Sequence, residues 1–476
     1  MTETIKLSPQ SRHFQSRFTY GAGASSAKRL AAVGAPAWFA QQLAPGSVPD
    51  KPGNKVDDWF PALGYSPQEL VKRDRRGIKP GWEVMADLNR WTLMRRTMSN
   101  RQLHELMTEF WSNLLHVPID DTDAWMFRVA YDRTIRKHAF GRFDQMLAAA
   151  IPHGAMGLFL DNAYSTKDAP NENLGRELLE LHTVGVGHFD ERDVLNSSRI
   201  LTGYRVELWP DLKQWYDKPS HYTGRIRVLD FTHPNKDADG RKATKAYLAY
   251  LAHHPATAKR IARRLCVRFV NDDPSADLVR TVARAYTRND TAIVPTLQAM
   301  VAHREFGKSK NKKVKLPIED TIGTVRALRA RVTKPRSDNH FANAFLWVAK
   351  DNGQSAYDWP APNGYPELSG AWIGPGRVLD SMDFHRSLAA GWWPSQGVRY
   401  RRYEYWLPDL PATFGDLINH VSLLLHNRKA PKAVRAALAI RTGIPLTRRL
   451  RAEDAEEILV QQVLLSLLDS KNHMKR

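Results

Sequence analysis

Apolar and polar residues are distributed along most of the chain with the spacing of amphipathic α-helices. The strongest pattern lies between about residues 83 and 160, where apolar side chains recur at intervals of three and four. The members of this stripe are Leu103, Leu106, Met107, Phe110 and Leu114. Such residues share one face of a helix, so the stripe is predicted to pack in a core. Ser99 and Gln102 precede it with the spacing of a capping box.

The other segments complete a mostly helical pattern. Residues 9–45 are predicted to be a helical entry, in which Gly34 and Pro36 divide AKRLAAVGAPAWFAQQL (27–43) into two short helices. Residues 46–82 keep no steady period and are predicted to be mostly loop. Residues 205–242 are rich in Trp, Tyr, Asp, Pro and Gly, with short β-like runs such as RIRVLDF. We predict an all-α fold, a large multi-helix body with long irregular loops and a small β-hairpin excursion near 205–242.

Three parts are predicted along the chain. Residues 1–204 form an N-terminal helical half, 205–306 hold the hairpin excursion and basic helices, and 307–476 contain C-terminal helices with a Pro/Gly/Trp loop. The lysine-rich stretch 307–316 is predicted to be an exposed linker or loop. Because no other stretch resembles a linker, one continuous domain is the alternative.

The composition narrows the classes of function. Hydrophobic residues make up 42% of the 476 residues, enough for a core, which excludes a disordered chain. The 70 Lys and Arg against 50 Asp and Glu give a net charge of +20, which attracts polyanions and anionic ligands. Cys266 is the single cysteine, so no internal disulfide and no multi-thiolate metal site can form.

The ends and motifs add expectations about location and chemistry. No apolar run of 18 residues occurs, so no transmembrane segment is expected. The N-terminus lacks the features of an export signal, and a cytoplasmic location is the simplest interpretation. The phosphate-binding and dinucleotide glycine motifs are missing, as are HExxH and GxSxG.

Candidate chemistry concentrates in residues 161–182. Glu177 and Glu180 lie one turn apart with His182 following, a set that can act as general acid and base or bind metal. The other candidates are polar residues upstream and on the same helix. They are Glu172 and Asp161 as ligands of a divalent metal, and Asn171, Asn173 and Arg176 as substrate-binding residues. The alternative is a ladder of intrahelical salt bridges.

Two further segments complete the predicted site. On the helix over 104–116, Glu109 is a candidate base that lines a cleft with Asn113 and His116, the alternative being a solvated helix face. Within YDRTIRKHAFGRF (131–143), Arg133 is predicted to bind an anionic substrate, the alternative being pairing with nearby carboxylates.

Several stretches resemble the bacterial domain of unknown function 1800 family. The most specific is PNENLGRELLELHTVGV (170–186), and HELMTEFWSNLLHV (104–117) is also similar. The resemblance covers nearly the whole chain and implies a helical fold without an assigned activity. Where the family usually has histidine after asparagine, this chain has Leu114, which puts any chemistry of that histidine in doubt. Many relatives carry export signals.

Two functions follow from these patterns. The first is a metal-assisted or acid/base enzyme acting on a polar or anionic substrate. The alternative is a non-catalytic basic protein that binds or assembles with a polyanion or a protein partner. Its binding surface would be WWPSQGVRYRRYEYW (392–406), where arginine interleaves with aromatic rings.

Overall fold

The computed structural model describes residues 3–120, 123–337 and 340–476, and within them the chain is predominantly α-helical. The prediction of an all-α protein with small β-hairpins is confirmed. Up to residue 204 the helices are α1 (Pro9–Phe18), α2 (Ala24–Gln42), α3 (Lys51–Asp57), α4 (Pro67–Arg75), α5 (Gly81–Met98), α6 (Gln102–Leu114), α7 (Trp125–His138), α8 (Phe143–Ala150), α9 (Gly154–Phe159), α10 (Glu172–Glu177) and α11 (Glu191–Ile200).

The rest of the chain continues with helices of similar length. They are α12 (Arg241–His253), α13 (Pro255–Phe269), α14 (Ala276–Arg288), α15 (Ile293–Ala302), α16 (Arg304–Lys308), α17 (Pro317–Ala327), α18 (Phe341–Asp351), α19 (Pro375–Ala389), α20 (Phe414–His426), α21 (Lys432–Thr442), α22 (Glu457–Leu468) and α23 (Lys471–Met474). None of the helices in the described residues is both long enough and apolar enough to span a membrane.

The strands form small antiparallel pairs. In 205–242 the predicted excursion consists of two hairpins, β1 (Tyr204–Glu207) with β2 (Lys213–Tyr216) and β3 (Ile226–Val228) with β4 (Phe231–His233). Two later pairs join distant segments. They are β5 (Arg331–Val332) with β6 (Val398–Arg399), and β7 (Ala412–Thr413) with β8 (Arg449–Leu450).

A single cluster of buried apolar side chains extends through the sequence from Leu7 to Leu468. It includes the whole predicted stripe of α6, whose five members are at most 1% exposed. The kink predicted at Gly34 is present, since this glycine has φ +75° inside α2. The division of the chain into three parts stays a prediction.

The prediction of loop over residues 46–82 is wrong, because α3 and α4 lie there and α5 begins at Gly81. Each of the two short helices starts with a proline in its first turn and with a side-chain cap from Asp50 or Ser66. Helices of 7 and 9 residues show too few periodic positions to be recognised from sequence. Packing of apolar residues such as Val56 and Leu70 stabilises them instead.

Two expectations about α6 are also wrong. Ser99 ends α5 and Arg101 occupies the N-cap position of α6, so no capping box forms there. The face opposite the apolar stripe is not solvated, because Glu105, Ser112 and His116 are all buried. The helix is enclosed on all sides, and its polar residues must therefore find partners inside the protein.

The lysine stretch 307–316 is exposed only in part. Lys313 and Lys315 are buried, and Lys313 Nζ pairs with Asp272 Oδ1. The backbone nitrogen of Lys315 donates to Met474 O at 2.9 Å, so the stretch runs beside the C-terminal segment. The C-terminal segment covers these two lysines. The sequence around the lysines does not predict that they are buried.

Candidate functional site

The predicted polar loop before α10 caps that helix and pairs with itself. Asn171 is the N-cap residue, and its Oδ1 accepts from Asn173 N at 2.9 Å. Asn173 Nδ2 donates to Asp161 Oδ2 at 2.7 Å. Arg176 pairs with Glu172 at 3.3 Å and with Glu191 on α11 at 2.6 Å. These contacts form a surface salt-bridge and capping network of the kind given as the alternative.

The predicted catalytic residues Glu177, Glu180 and His182 lie where α10 widens into a π-helical turn over residues 178–182. Glu177 and Glu180 are half-buried, and burial together with the charge of Glu180 raises the pKa of Glu177. His182 is fully buried, and its Nδ1 donates to Leu114 O at 2.8 Å while its Nε2 has no hydrogen-bond partner. Burial lowers the pKa of His182 to about 4.

Leu114 therefore has a defined place in this chain. It is a buried residue at the end of α6 whose carbonyl group holds His182. The structure thus brings the C-terminus of α6 against the 178–182 turn. His116, in the same loop, donates from Nε2 to Trp359 O at 2.6 Å, and burial lowers its pKa to about 4.

Glu109 lies inside the protein as the counter-ion of arginines. Its Oε2 accepts a hydrogen bond from Tyr20 and lies 3.3 Å from Arg268 Nη2 and 3.7 Å from Arg96 Nη1. Burial favours the neutral acid, but the two arginines outweigh it and lower the pKa of Glu109. The predicted companions Asn113 and His116 line a small cavity with Glu109, closed by residues 354–357 and 365 of the Pro/Gly/Trp loop.

Arg133 lies away from these groups on α7, where its Nη2 donates to the carbonyl of Leu63. The predicted set is thus distributed over a surface network around α10, a buried turn after it, a buried ion-pair network around Glu109, and Arg133. The contacts described do not join these four places in one pocket. Their catalytic, substrate-binding and metal-binding roles stay predictions.

A different cluster of ionisable residues converges in the C-terminal part of the chain. Asp320 lies on α17, His385 on α19 and His473 on α23, and all three are at most 3% exposed. Asp320 Oδ2 lies 3.5 Å from His385 Nε2, and Asp320 Oδ1 lies 3.6 Å from His473 Nε2. One potential ligand atom from each residue lies within 4.8 Å of the others.

These separations are too long for hydrogen bonds to a buried carboxylate, which are about 2.7–3.0 Å long when the partner is charged. Atoms about 2.0–2.2 Å from a tetrahedral metal lie about 3.3–3.6 Å apart, and each histidine nitrogen lies at such a distance from one oxygen of Asp320, His385 from Oδ2 and His473 from Oδ1. Among the described residues, Asp320 Oδ1 and His385 Nε2 are also buried without a hydrogen-bond partner. Two imidazoles and a carboxylate form a common donor set for Zn²⁺, Mn²⁺ and Fe²⁺.

Neighbouring groups hold the two histidines. His385 Nδ1 donates to Asp469 Oδ1 at 2.9 Å, which turns Nε2 toward Asp320. His473 Nδ1 lies 3.3 Å from His426 Nε2, and His473 Nε2 lies 2.9 Å from Thr324 Oγ1. The rings of His385 and His473 are nearly perpendicular, with centroids 5.3 Å apart.

A cationic side chain lies near each oxygen of Asp320. Lys315 Nζ lies 3.9 Å from Oδ1 and Arg377 Nη2 lies 3.4 Å from Oδ2. Burial opposes ionisation of Asp320, but His385 and Lys315 hold its pKa well below the usual range. Burial lowers the pKa of His473, whereas the pKa of His385 is raised because Asp320 and Asp469 outweigh its burial. The His385 ring therefore lies between the carboxylates of Asp320 and Asp469.

A cavity of about 120 Å³ lies directly beside this cluster. His473 and Lys315 contribute to its wall, together with α1, the start of α17 and the last residues of the chain. No spacing pattern in the sequence predicts this site, since its three residues come from helices far apart in the chain. DFHRSL and KNHMKR resemble ordinary helix ends, and only the tertiary packing brings them to Asp320.

Fold and site together define a mostly α-helical protein with a buried two-histidine, one-carboxylate cluster beside a polar cavity. Within that class, the chain belongs to the family described as Protein of unknown function (DUF1800), whose family model matches residues 13–468. No curated protein matches the chain, and no solved structure matches it.

Proposed function

We propose that this protein is a metal-dependent enzyme that acts on an anionic substrate, with Asp320, His385 and His473 as ligands of a divalent metal. The observation that carries the proposal is the convergence of these three buried side chains, with one potential ligand atom from each within 4.8 Å of the others. This assignment keeps the metal-assisted chemistry expected from the sequence and moves it to other residues.

The neighbouring contacts support a built metal site. Asp469 accepts a hydrogen bond from the Nδ1–H group of His385, which leaves the Nε2 lone pair free to bind a cation. His473 is neutral because of burial, which is the form that ligates metal. Three protein ligands leave a coordination position for water or substrate, as catalytic sites require. A metal there would polarise a substrate oxygen or lower the pKa of a bound water.

The rival arrangement uses the same residues without a metal. In it, protonated His385 bridges Asp320 and Asp469 as a buried ion-pair cluster, and Lys315 and Arg377 complete the neutralisation of Asp320. The positive charges of Lys315 and Arg377 disfavour the binding of a metal ion beside Asp320. Metal binding therefore separates the two interpretations directly.

The test is titration of metal-free protein with Co²⁺ and Zn²⁺. Cobalt bound by two histidines and a carboxylate gives visible d–d absorption, and calorimetry gives the stoichiometry. We expect one ion per chain, lost in both Asp320→Asn and His385→Gln. The matched control is His221→Gln, which alters a buried histidine that contacts Thr202 and Asn235.

Activity is then measured with and without the ion on chromogenic phosphate and carboxylate esters. Turnover that depends on metal and disappears in Asp320→Asn supports the enzyme. A folded protein that binds none of Mn²⁺, Fe²⁺, Co²⁺ or Zn²⁺ refutes the metal centre. Circular dichroism of each variant distinguishes loss of a ligand from loss of the fold.

The non-catalytic alternative remains the second proposal, because Trp392 and Trp393 in the aromatic-arginine stretch are exposed. It is tested by heparin and single-stranded nucleic acid, whose binding would fall steeply with salt. Trp393→Ala would weaken that binding and leave metal content unchanged. A cytoplasmic location also remains a proposal, tested by fractionation of the source cells.

A further inference from the structure

We infer that the cavity beside the Asp320 cluster is a binding subsite for a phosphate-like dianionic group. The inference names the substrate class for the proposed metal enzyme and rests on that function only in assigning the anion to a substrate. Binding of the anion itself follows from the cavity and does not require the metal.

The wall of the cavity is strongly cationic. Its ionic lining consists of one carboxylate and six side chains that carry positive charge. The cations are Arg12, Lys310, Lys315, Arg428, Lys475 and Arg476. The carboxylate is Glu319, which already accepts from Arg476 and lies 3.1 Å from Arg268 Nη2. The acidic group is thus engaged, and most of the positive charge has no counter-ion in the wall.

Four of the cations have no acidic partner in the part of the chain that the structure describes. Within residues 3–120, 123–337 and 340–476, no carboxylate lies within 4.0 Å of the charged atoms of Arg12, Lys310, Arg428 or Lys475. Burial and the charge of Arg12 lower the pKa of Arg428, which indicates that the two guanidinium groups repel each other. A bound anion would relieve that repulsion, because opposite charges nearby favour the ionised form.

A neutral donor points to a ligand as well. Asn472 Nδ2 is a buried atom of a lining residue and has no hydrogen-bond partner among the described residues. Buried polar atoms without a partner are uncommon and call for an explanation such as a bound group. An oxyanion accepts hydrogen bonds from amide and guanidinium donors alike.

The size of the cavity suits a small anion. Its volume of about 120 Å³ is several times the roughly 10–15 Å³ in which a cavity holds one water molecule. A phosphate group therefore fits inside it. The exposed Lys310 and Lys475 contribute to the wall, whereas Lys315 and Arg476 are buried. A phosphorylated compound would therefore place its phosphate in the cavity, beside His473.

The experiment uses inorganic phosphate and pyrophosphate as probes, with the whole chain in its metal-free form. We expect each probe to raise the unfolding midpoint with increasing concentration, beyond the effect of sodium chloride at equal ionic strength. Loss of one charged hydrogen bond weakens binding about tenfold or more, so Arg428→Gln should reduce affinity by about that factor.

Lys475→Glu provides a second variant that leaves the packing intact, because this side chain is exposed. The matched control is Arg192→Gln, an exposed arginine on α11. Asp320→Asn should still bind phosphate, so failure of the metal centre and failure of the anion subsite are distinguishable.

A parallel arm uses vesicles with and without phosphatidylglycerol, since a lipid headgroup offers the same chemistry. Binding of free phosphate that weakens in both cavity variants supports the inference, and additional vesicle binding would identify the source as a lipid. The inference is overturned if phosphate and pyrophosphate do not bind, whether or not the vesicles do. It is also overturned if Arg192→Gln weakens binding as much as the cavity variants.

Discussion

Glu105 provides the most quantitative prediction, because it is a fully buried carboxylate with defined partners. On α6, its Oε1 and Oε2 lie 2.9 and 2.8 Å from Arg136 Nη1, and its Oε1 lies 3.1 Å from Arg95 Nε. Replacement of Glu105 by Gln keeps the shape and removes the charge. Arg136 then retains the 3.4 Å contact to Asp132, and Arg95 retains Asp57 at 2.9 Å and Asp50 at 3.6 Å.

Two routes give the size of the loss. Removing one partner of a buried ion pair costs about 3–5 kcal/mol when the other charge is left unpaired, and the contacts that Arg136 and Arg95 retain place the loss at the low end of that range. Independently, the arginines lower the pKa of Glu105 from 4.5 to about 2 against the opposing effect of burial. At 1.36 kcal/mol per pKa unit, this shift corresponds to about 3 kcal/mol of folding stability at neutral pH. We therefore expect Glu105→Gln to lose about 3 kcal/mol.

The assay is urea unfolding followed by tryptophan fluorescence and circular dichroism, with the free energy taken from the shift in midpoint. The control is Glu83→Gln, which removes a partly exposed partner of Lys79 and should cost only about 0.3–0.5 kcal/mol. If Glu105→Gln loses no more stability than Glu83→Gln, the buried ion-pair argument is refuted.

The pH dependence has a definite sign. Because the folded pKa of Glu105 lies below its unfolded value, its contribution is fully present above about pH 4.5 and is lost as the pH falls toward 2. The difference in stability between the wild-type protein and Glu105→Gln should therefore shrink over that window. A difference that stays constant down to the acid limit of folding would contradict the assigned cause.

Three further outcomes are expected. Wild-type stability relative to His182→Gln should fall as the pH drops from 6.5 to about 4, because the unfolded chain takes up the proton first; urea midpoints across this range check it. Gly175→Ala should lose about 1–3 kcal/mol of stability, since an added Cβ would lie 2.2 Å from Ser198 Oγ. Gly376→Ala, with open space around it, is the thermal-unfolding control and should be near neutral. Cys266 is buried with a pKa of about 12, so a thiol reagent at pH 8 should label it only after unfolding; rapid labelling of native protein would contradict this.

Much of the fold could be predicted from the sequence because its causes are local or periodic. The stripe of α6 from Leu103 to Leu114 is buried as predicted, since spacing alone assigns residues to a helix face. The break at Gly34 and the β-structure within 205–242 follow from local backbone preferences in the same way. The short helices over 46–82 could not be predicted, because caps and tertiary packing stabilise them and they are too short to show a clear period.

Most of the candidate site could not be predicted from the sequence. The spacing of Glu172 and Arg176 predicts an ion pair between them, and the structure contains that pair on α10. This pairing could be predicted because it depends on one helix alone. The ionisable cluster, by contrast, draws one residue each from α17, α19 and α23. No local rule relates such residues.

The sequence by itself determined the helical class, the apolar core face of α6 and the family resemblance, because these depend on short-range periodicity and on colinear motifs. Only the tertiary structure decided which charges are buried. It enclosed Glu105, Lys313 and Lys315 and brought Asp320 to His385 and His473. The physical reason is that burial and pairing of charges depend on long-range packing, which places distant segments side by side and excludes water between them.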